Sequence, residues 1–449
     1  MIPNTISCSR NDYIFLDVIG TGSFATVYRA KHLPTQKMVA VKSFEKAKLK
    51  EEGGFGIFTN EIKISSRADH PLIATVFEAF EDIENFFISM ELIPNDSLLN
   101  FINSNGGLSE GIARKLFCQI VLVVDFLHNH LNVTHRDLKA ENILLDRFSN
   151  IRLIDFGLSK DYDPNSPLLR TICGSPAYAA PELVRGLPYT KAIDLWSIGI
   201  ILFAMIAGFL PFDDPNVSEQ LRKIINDEPE YPSNISPVLI DLLKKLLCKD
   251  PESRLTIERV RDHPWVAPTL ANIGASEHFR VVDLKNIDTM VLQQMIELGI
   301  HTEQLVPLLL KGELCRETAS YKILRKENML VDINETFARI RSHRLSHAGQ
   351  IGEILSTSAL PSISPLSSRA LSQSRGHQNV QSSPGSVPPM PKLPPVPGLP
   401  HKPKVSVPDS PLLSSSKVKH RTRALTFMKK EIVSPIVEKN SNTAQRSFL

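Results

Sequence analysis

Strand-like segments crowd between Tyr13 and Met90 of this chain, and helix-like segments follow them. That order predicts an α+β fold class, with a small β-rich lobe joined to a larger helical lobe over residues 13–266. Tyr13-Ile-Phe-Leu-Asp-Val-Ile19 reads as a strand entering a Gly-rich turn. Val39–Lys42 and Phe86–Met90 are short runs of β-branched and aromatic residues, which suit a pleated, half-buried surface. Arg114 to His130 sets Leu116, Ile120, Val123, Val124 and Leu127 at helical spacing, a core-facing helix. The longest apolar run, Ile198 to Leu210, falls short of the roughly 20 residues a membrane span needs. It reads as a buried helix, so no transmembrane segment is expected.

From Leu284 to Met329 the apolar pattern predicts three short helices. Val291, Leu292, Met295 and Leu298 end at Gly299, a C-cap residue; Leu305, Leu308 and Leu309 end near Gly312; Ala319, Tyr321, Ile323 and Leu324 follow Thr318. Beyond Leu345 the composition shifts. Ser and Pro dominate, Trp and Tyr are absent, and the aromatics are Phe427 and Phe448. Such a stretch buries too little apolar surface to offset its ordering entropy, so residues 345–449 are expected to form a disordered, Ser/Pro-rich basic tail. The tail holds 13 Lys and Arg against 4 Asp and Glu, a net +9, within a chain of overall charge +3. A basic tail therefore hangs from an acidic body, and this balance gives no ground for a nucleic-acid partner. Pro388 to Pro403 favours polyproline II, a conformation an SH3-like partner could bind, although a solvated tail is the plainer reading. Ser364, Ser383, Ser410 and Ser434 each precede proline. Lys417 to Lys430, with Leu425, Phe427 and Met428 interleaved, reads as a solvated charge run, with an anionic membrane or acidic partner as the alternative. The five cysteines are scattered without a CxxC pair, which fits reduced thiols in a cytoplasmic or nuclear protein. Met1 to Thr5 starts no secretory signal pattern.

The chemistry-bearing residues come as an ordered set. Gly20-Thr-Gly22-Ser-Phe-Ala-Thr-Val27 closes the first strand; alone it reads equally as a hairpin turn or as a backbone able to approach phosphates. Its third glycine position is Ala25. Lys42 ends an apolar strand and calls for an anionic partner, unless it snorkels to solvent. Glu61 lies nineteen residues on, in a helix-compatible stretch. His135-Arg-Asp-Leu-Lys-Ala-Glu-Asn142, Asp155-Phe-Gly157 and Ala180-Pro-Glu182 follow in that order. Taken singly, Asp137 and Asp155 would pass for surface or capping aspartates.

Together these segments resemble the eukaryotic protein kinases over about Tyr13 to Val266. The resemblance implies the bilobal protein kinase fold, ATP and Mg2+ as cofactors, and transfer of the γ-phosphate to protein hydroxyls. It gives Asp137 the substrate hydroxyl and its proton, Lys139 the γ-phosphate, and Asn142 and Asp155 the metal. Ile19, Gly20, Gly22, Val27, Ala40, Lys42, Glu61 and Glu91 would form the nucleotide site. Asp194 looks like the buried aspartate that braces the catalytic loop, and Arg254 like the partner of Glu182.

Lys139-Ala-Glu-Asn142 is typical of the serine/threonine class and argues against a tyrosine kinase. Leu169 to Glu182 looks like the activation segment of AMP-activated and microtubule-affinity-regulating kinases, and Leu210-Pro-Phe-Asp-Asp214 and His263-Pro-Trp265 fit the same calcium/calmodulin-kinase-like (CAMK) group. This makes Thr171 the expected activating phosphosite, served by an upstream kinase, with Arg136 and Lys160 to meet the phosphate. Residues 284–329 resemble the ubiquitin-associated-like (UBA-like) regulatory domain of that group, with a plain helical buttress as the alternative. Ser97 replaces a glutamate that in many relatives contacts ribose and a basic substrate side chain, whereas Glu141 retains a second acidic contact; a weakened preference for upstream arginine is expected. Ser65 replaces an apolar residue of the family's internal spine, which predicts a less stable active position for its helix. The rival function is a pseudokinase scaffold acting through the tail and the three-helix unit. Its usual sign is loss of Lys42, Asp137 or Asp155, and all three are present.

Overall fold

β-branched and aromatic residues build the N-terminal sheet as their pattern predicts. The structure, a computed structural model, describes residues 9–22, 24–51, 54–166, 168–171, 173–274 and 287–329. Everything expected of the tail at 345–449, including its Ser-Pro sites and proline run, lies outside the described residues. Strands β1 (Tyr13–Thr21), β2 (Ala25–His32), β3 (Lys37–Glu45), β4 (Val76–Glu81) and β5 (Asn85–Glu91) form an antiparallel sheet in the order β1-β2-β3-β5-β4. Its register sets Val27 on β2 opposite Lys42 on β3, and Lys42 opposite Ile88 on β5.

Two helices lie between β3 and β4: α1 (Lys46–Glu51) and α2 (Phe55–Ser65). The Phe58 ring of α2 stacks on Phe86 at 4.7 Å and meets Phe44 edge-on at 5.2 Å. Aromatic pairs in these offset and edge arrangements add to their area burial. They seat the helix on the sheet, three residues before Glu61 in the same helix.

The larger lobe begins with α3 (Leu98–Asn105) and α4 (Glu110–Asp125). The helix predicted over 114–130 is α4, and Phe126–His130 continue it as a wider π turn. Short strands follow: β6 (Val133–Thr134) pairs with β9 (Lys160–Asp161), and β7 (Ile143–Leu145) with β8 (Ile151–Leu153). The rest is helical: α5 (Pro181–Val184), α6 (Ala192–Ala207), α7 (Val217–Asn226), α8 (Pro237–Leu246), α9 (Ile257–Arg261) and α10 (Ala267–Gly274). Ile193 to Met205 of α6 is buried without a break, as the apolar run required. It packs with α4 and α8 in the main core through residues such as Leu202, Val121 and Leu243.

Three helices lie in this region: α11 (Thr289–Glu297), α12 (Leu305–Leu310) and α13, residues 316–329. The third helix starts before Thr318, not after it. The Thr318 hydroxyl lies inside the first turn, donates to the Glu313 and Cys315 carbonyls and accepts the Cys315 N–H at 3.0 Å. It caps the helix from within. α13 joins the small lobe: Ala319 and Ile323 share a core with Tyr13, Val39 and Phe80 behind the sheet. No helix among the described residues is long and apolar enough to cross a membrane.

Candidate active site

The junction of the two lobes collects the chemistry-bearing residues. A cleft of about 420 Å³, open to solvent at its mouth, is lined by Ile19, Gly20, Gly22, Val27, Ala40, Lys42, Glu61, Glu91, Asp137, Lys139 and Asp155. These were all predicted. Phe44, Met90, Leu144 and Ile154 add apolar walls that the sequence reading missed.

Lys42 projects from β3 and meets Glu61 of α2. Its Nζ donates to both carboxylate oxygens, at 2.7 and 2.8 Å. Asp155 Oδ1 stands 3.6 Å from the same amine. Burial works against the charge on Lys42, but Asp155 and Glu61 outweigh it and hold the amine above its usual range. Burial raises the Asp155 carboxyl, yet Lys42 and the Gly157 N–H more than reverse this, so it stays below the usual carboxylate range. Asp155 has φ 67°, a left-handed conformation that Asp and Asn tolerate best among non-glycine residues. The adjoining Phe156 is buried against the His135 ring at 5.2 Å.

Asn60, next to Glu61, clamps this segment. Its amide donates to the carbonyls of Phe156 at 3.3 Å, Gly157 at 3.2 Å and Ser159. A Cβ on Gly157 would come 2.6 Å from Ile57 Cγ2, so glycine lets the segment pass this close under α2.

Asp137 is held on all sides. Lys139 Nζ lies 2.8 Å from Oδ2, Asn142 Nδ2 donates to the Asp137 carbonyl at 3.0 Å and to Oδ2 at 3.2 Å, and the Ser175 N–H and hydroxyl both donate to Oδ1 at 3.0 Å. Lys139 also donates to Ser175 Oγ at 3.0 Å. Ser175 was not predicted, although it lies within the stretch read as the activation segment. Gly174 before it has φ 96°, and a Cβ there would meet the Arg136 carbonyl at 2.6 Å. The loop itself hangs on Asp194, which accepts from the N–H groups of His135 at 2.8 Å and Arg136 at 2.9 Å and bonds His128 Nε2 at 2.8 Å. Burial raises this carboxyl, and the His128 contact and backbone N–H groups pull it below its ordinary value.

Asn142 spends its amide nitrogen on Asp137, which leaves its side-chain oxygen as an acceptor. With Asp155 it offers two hard oxygen donors, the kind Mg2+ prefers. Among the described residues no group of three or more His, Cys, Asp or Glu forms a protein-only cage, so phosphate and water would complete such a site.

Three positions depart from simple expectation. Glu91 lines the cleft, but its carboxylate is committed elsewhere: to Arg152 Nε at 3.1 Å and Lys326 Nζ at 3.2 Å. Lys326 comes from α13 and also donates to the Ile73 carbonyl at 3.1 Å. Ser97 caps α3, accepting the Asn100 N–H at 3.2 Å. Thr171 is exposed, and its carbonyl accepts from Tyr189 OH at 2.6 Å, which in turn receives Arg136 Nη1 at 3.2 Å. Lys160 is exposed on β9.

The comparisons agree with this geometry. The protein kinase domain family matches residues 13–266. The SNF1-related protein kinase catalytic subunit alpha KIN12 of Arabidopsis thaliana is 36% identical over 307 residues, 68% of this chain and 62% of the relative. Serine/threonine-protein kinase SIK1 of Rattus norvegicus is 34% identical over 339 residues, 74% of this chain and 42% of the relative; its Mus musculus counterpart is 37% identical over 262 residues, 57% and 33%. The chain thus spans less than two thirds of the length of each of these relatives. It belongs to the protein kinase family, in the AMP-activated-kinase-related branch of the calcium/calmodulin-kinase-like group.

Proposed function

We propose that this chain is an active serine/threonine kinase that transfers the γ-phosphate of ATP to protein hydroxyls. The closed Lys42–Glu61 ion pair, formed in the same cleft as Asp137 and Asp155, carries the reading. Phosphoryl transfer asks for positioning and charge neutralisation more than for covalent help. Lys42 is fixed by Glu61 and presents its amine to the nucleotide phosphates. Asp137 Oδ1 and Oδ2, oriented by Ser175, Lys139 and Asn142, take up the substrate hydroxyl and accept its proton. Lys139 can turn its charge from Asp137 to the transferring group. Mg2+ held by Asp155 and Asn142 would neutralise charge on the phosphates. A scaffold without transfer has no support from any lost residue.

The test is transfer from radiolabelled ATP to serine, threonine and tyrosine peptide libraries, after an upstream kinase has phosphorylated the chain. Label on serine and threonine is expected, with at most weak selection for arginine upstream of the acceptor. Ser97 is tied up as a helix cap, and Glu141, which lines the cleft, is the remaining acidic contact. Strong arginine selection would reject this specificity; no label at all would leave the scaffold.

Asn60→Ala removes the clamp between α2 and the segment after Asp155. Losing hydrogen bonds worth about 1 kcal/mol each is expected to lower kcat roughly tenfold while the chain still binds ATP. Steady-state kinetics with a nucleotide titration checks this, and an unchanged kcat would show that the clamp is idle.

Thr171 is the proposed activating site. A phosphate there would add negative charge beside the Tyr189–Arg136 network and order the segment through charge-assisted bonds. Thr171→Ala is expected to keep no more than about a tenth of the activity of the phosphorylated protein. A fully active alanine variant would remove Thr171 from the mechanism.

We further read residues 284–329 as a UBA-like regulatory segment, the proline run of the tail as a ligand for an SH3-like partner, and the location as cytoplasmic or nuclear. The four described cysteines are unpaired, which supports the last point.

A further inference from the structure

Glu91 ends β5, and it lines the cleft beside Ala40, Met90 and Leu92. Its buried carboxylate receives donors from three parts of the chain. Arg152 Nε of β8 reaches Oε1 at 3.1 Å. The Thr75 N–H, one residue before β4, reaches Oε2 at 3.3 Å, and Lys326 Nζ of α13 stands 3.2 Å from the same oxygen. Lys326 lies beyond residue 266, where the kinase family match ends. Arg152 is shared, because its Nη2 also bonds Asp146 Oδ2 at 3.1 Å. Glu91, Asp146, Arg152 and Lys326 are all buried, so two carboxylates face two cations away from water. Burial raises the Glu91 carboxyl, and Lys326 first and Arg152 second more than reverse it, so it stays below the usual carboxylate range.

Lys326 does more than balance charge. Its amine also donates to the Ile73 carbonyl at 3.1 Å and to the Pro71 carbonyl at 3.5 Å. That segment is where the lobes meet: Ile73 bridges Leu153 of β8, and the Ala74 N–H bonds the Leu153 carbonyl at 2.9 Å. One amine from α13 thus ties the end of β5 to the junction of the lobes. Without it, Glu91 and Asp146 would share Arg152 alone. One buried negative charge would stand unmatched, and an unmatched charge is drawn towards water.

We propose that Lys326 is a positioning residue for nucleotide binding: it holds Glu91 against the segment at 71–75 and so fixes the end of β5 that walls the cleft. The inference rests on reading the cleft as the ATP site. It makes α13 a part of that site at one remove, through Glu91, and not only a cover for the back of the sheet.

The experiment measures ADP binding to the full chain by calorimetry in the presence of Mg2+. A parent chain that binds no ADP rejects the ATP site, and this inference with it; the results that follow reject the inference alone. Lys326→Met is expected to weaken ADP about tenfold and, in steady state, to raise KM for ATP more than it lowers kcat. Arg325→Met is the control for a loosened helix. It removes the Arg325–Asp69 pair at 3.0 Å, on the neighbouring residue of α13, without touching Glu91. Its ADP affinity is expected to change by less than about twofold. Thermal denaturation, run alongside, shows that each variant is folded. Hydrogen exchange reads the same coupling from the other side, because linkage between two sites is reciprocal. ADP should slow exchange across α13 in the parent chain and in Arg325→Met, and not in Lys326→Met. Exchange in the parent decides the matter if Lys326→Met does not fold. The proposal is overturned if folded Lys326→Met binds ADP as tightly as the parent, if Arg325→Met weakens binding as much, or if ADP leaves exchange in α13 of the parent unchanged.

Discussion

The Asp155→Asn protein is expected to fold, to bind nucleotide and to lose phosphate transfer by about a thousandfold or more. The asparagine choice follows from the backbone. Asp155 sits at φ 67°, where alanine would be strained and asparagine is accommodated. The amide oxygen can still accept the Gly157 N–H that now bonds Asp155 Oδ1 at 3.2 Å. What disappears is a negative charge. Lys42 keeps Glu61 at 2.7 Å and so remains anchored. The cleft loses the carboxylate that Lys42 and its surroundings hold ionised. Charge placed in advance inside a shielded site is worth several kcal/mol at the transition state, and each 1.36 kcal/mol is a factor of ten. Single-turnover transfer, nucleotide titration and thermal denaturation read the three expectations separately. A folded variant that binds ATP and retains more than about a tenth of the rate would take Asp155 out of the chemistry.

Residues were legible in the sequence where local pattern and chemistry coincide. A lysine closing an apolar strand needs a counter-charge, and Glu61 on α2 supplies it. The apolar run from Ile198 announces the burial of α6, and Asp194, four residues earlier in the same helix, must be bonded, here to two backbone N–H groups and His128. Lys326 was illegible for the opposite reason. Arg325-Lys326-Glu327 reads as the wet face of a helix, yet Lys326 is buried against Glu91 and a carbonyl 253 residues away. Asn60 is similar, because its three acceptors lie 96 to 99 residues on and leave no local trace. Ser97 shows a third case, in which the absence of an expected glutamate was visible but the capping bond that replaces it was not.

Glu182→Gln should destabilise the fold by roughly 3–5 kcal/mol, the usual cost of stripping one partner from a buried ion pair. Arg254 and Glu182 meet through two bonds, Nη1 to Oε1 at 2.7 Å and Nη2 to Oε2 at 2.9 Å. Their side chains are 0% and 4% exposed, so water cannot replace the lost charge. Arg254 is also bonded to the carbonyls of Cys248 and Ala192 and lies over the Trp196 ring, which leaves the guanidinium no route to solvent. Glutamine keeps the size and one acceptor, but turns an amide donor towards a guanidinium that can only donate. The positive charge then stays buried and unmatched. Urea denaturation measures the loss, and the double variant Glu182→Gln/Arg254→Met separates its cause. Removing both charges should cost less than the two single changes added together, since most of the single penalty is the stranded partner. Glu182 closes the segment that carries Thr171 and Ser175, and Arg254 ends the turn before α9. If the pair ties these elements, the glutamine variant should also lose phosphate transfer at temperatures well below its unfolding. A Glu182→Gln protein within about 1 kcal/mol of the parent would show instead that the site relaxes around the unpaired arginine.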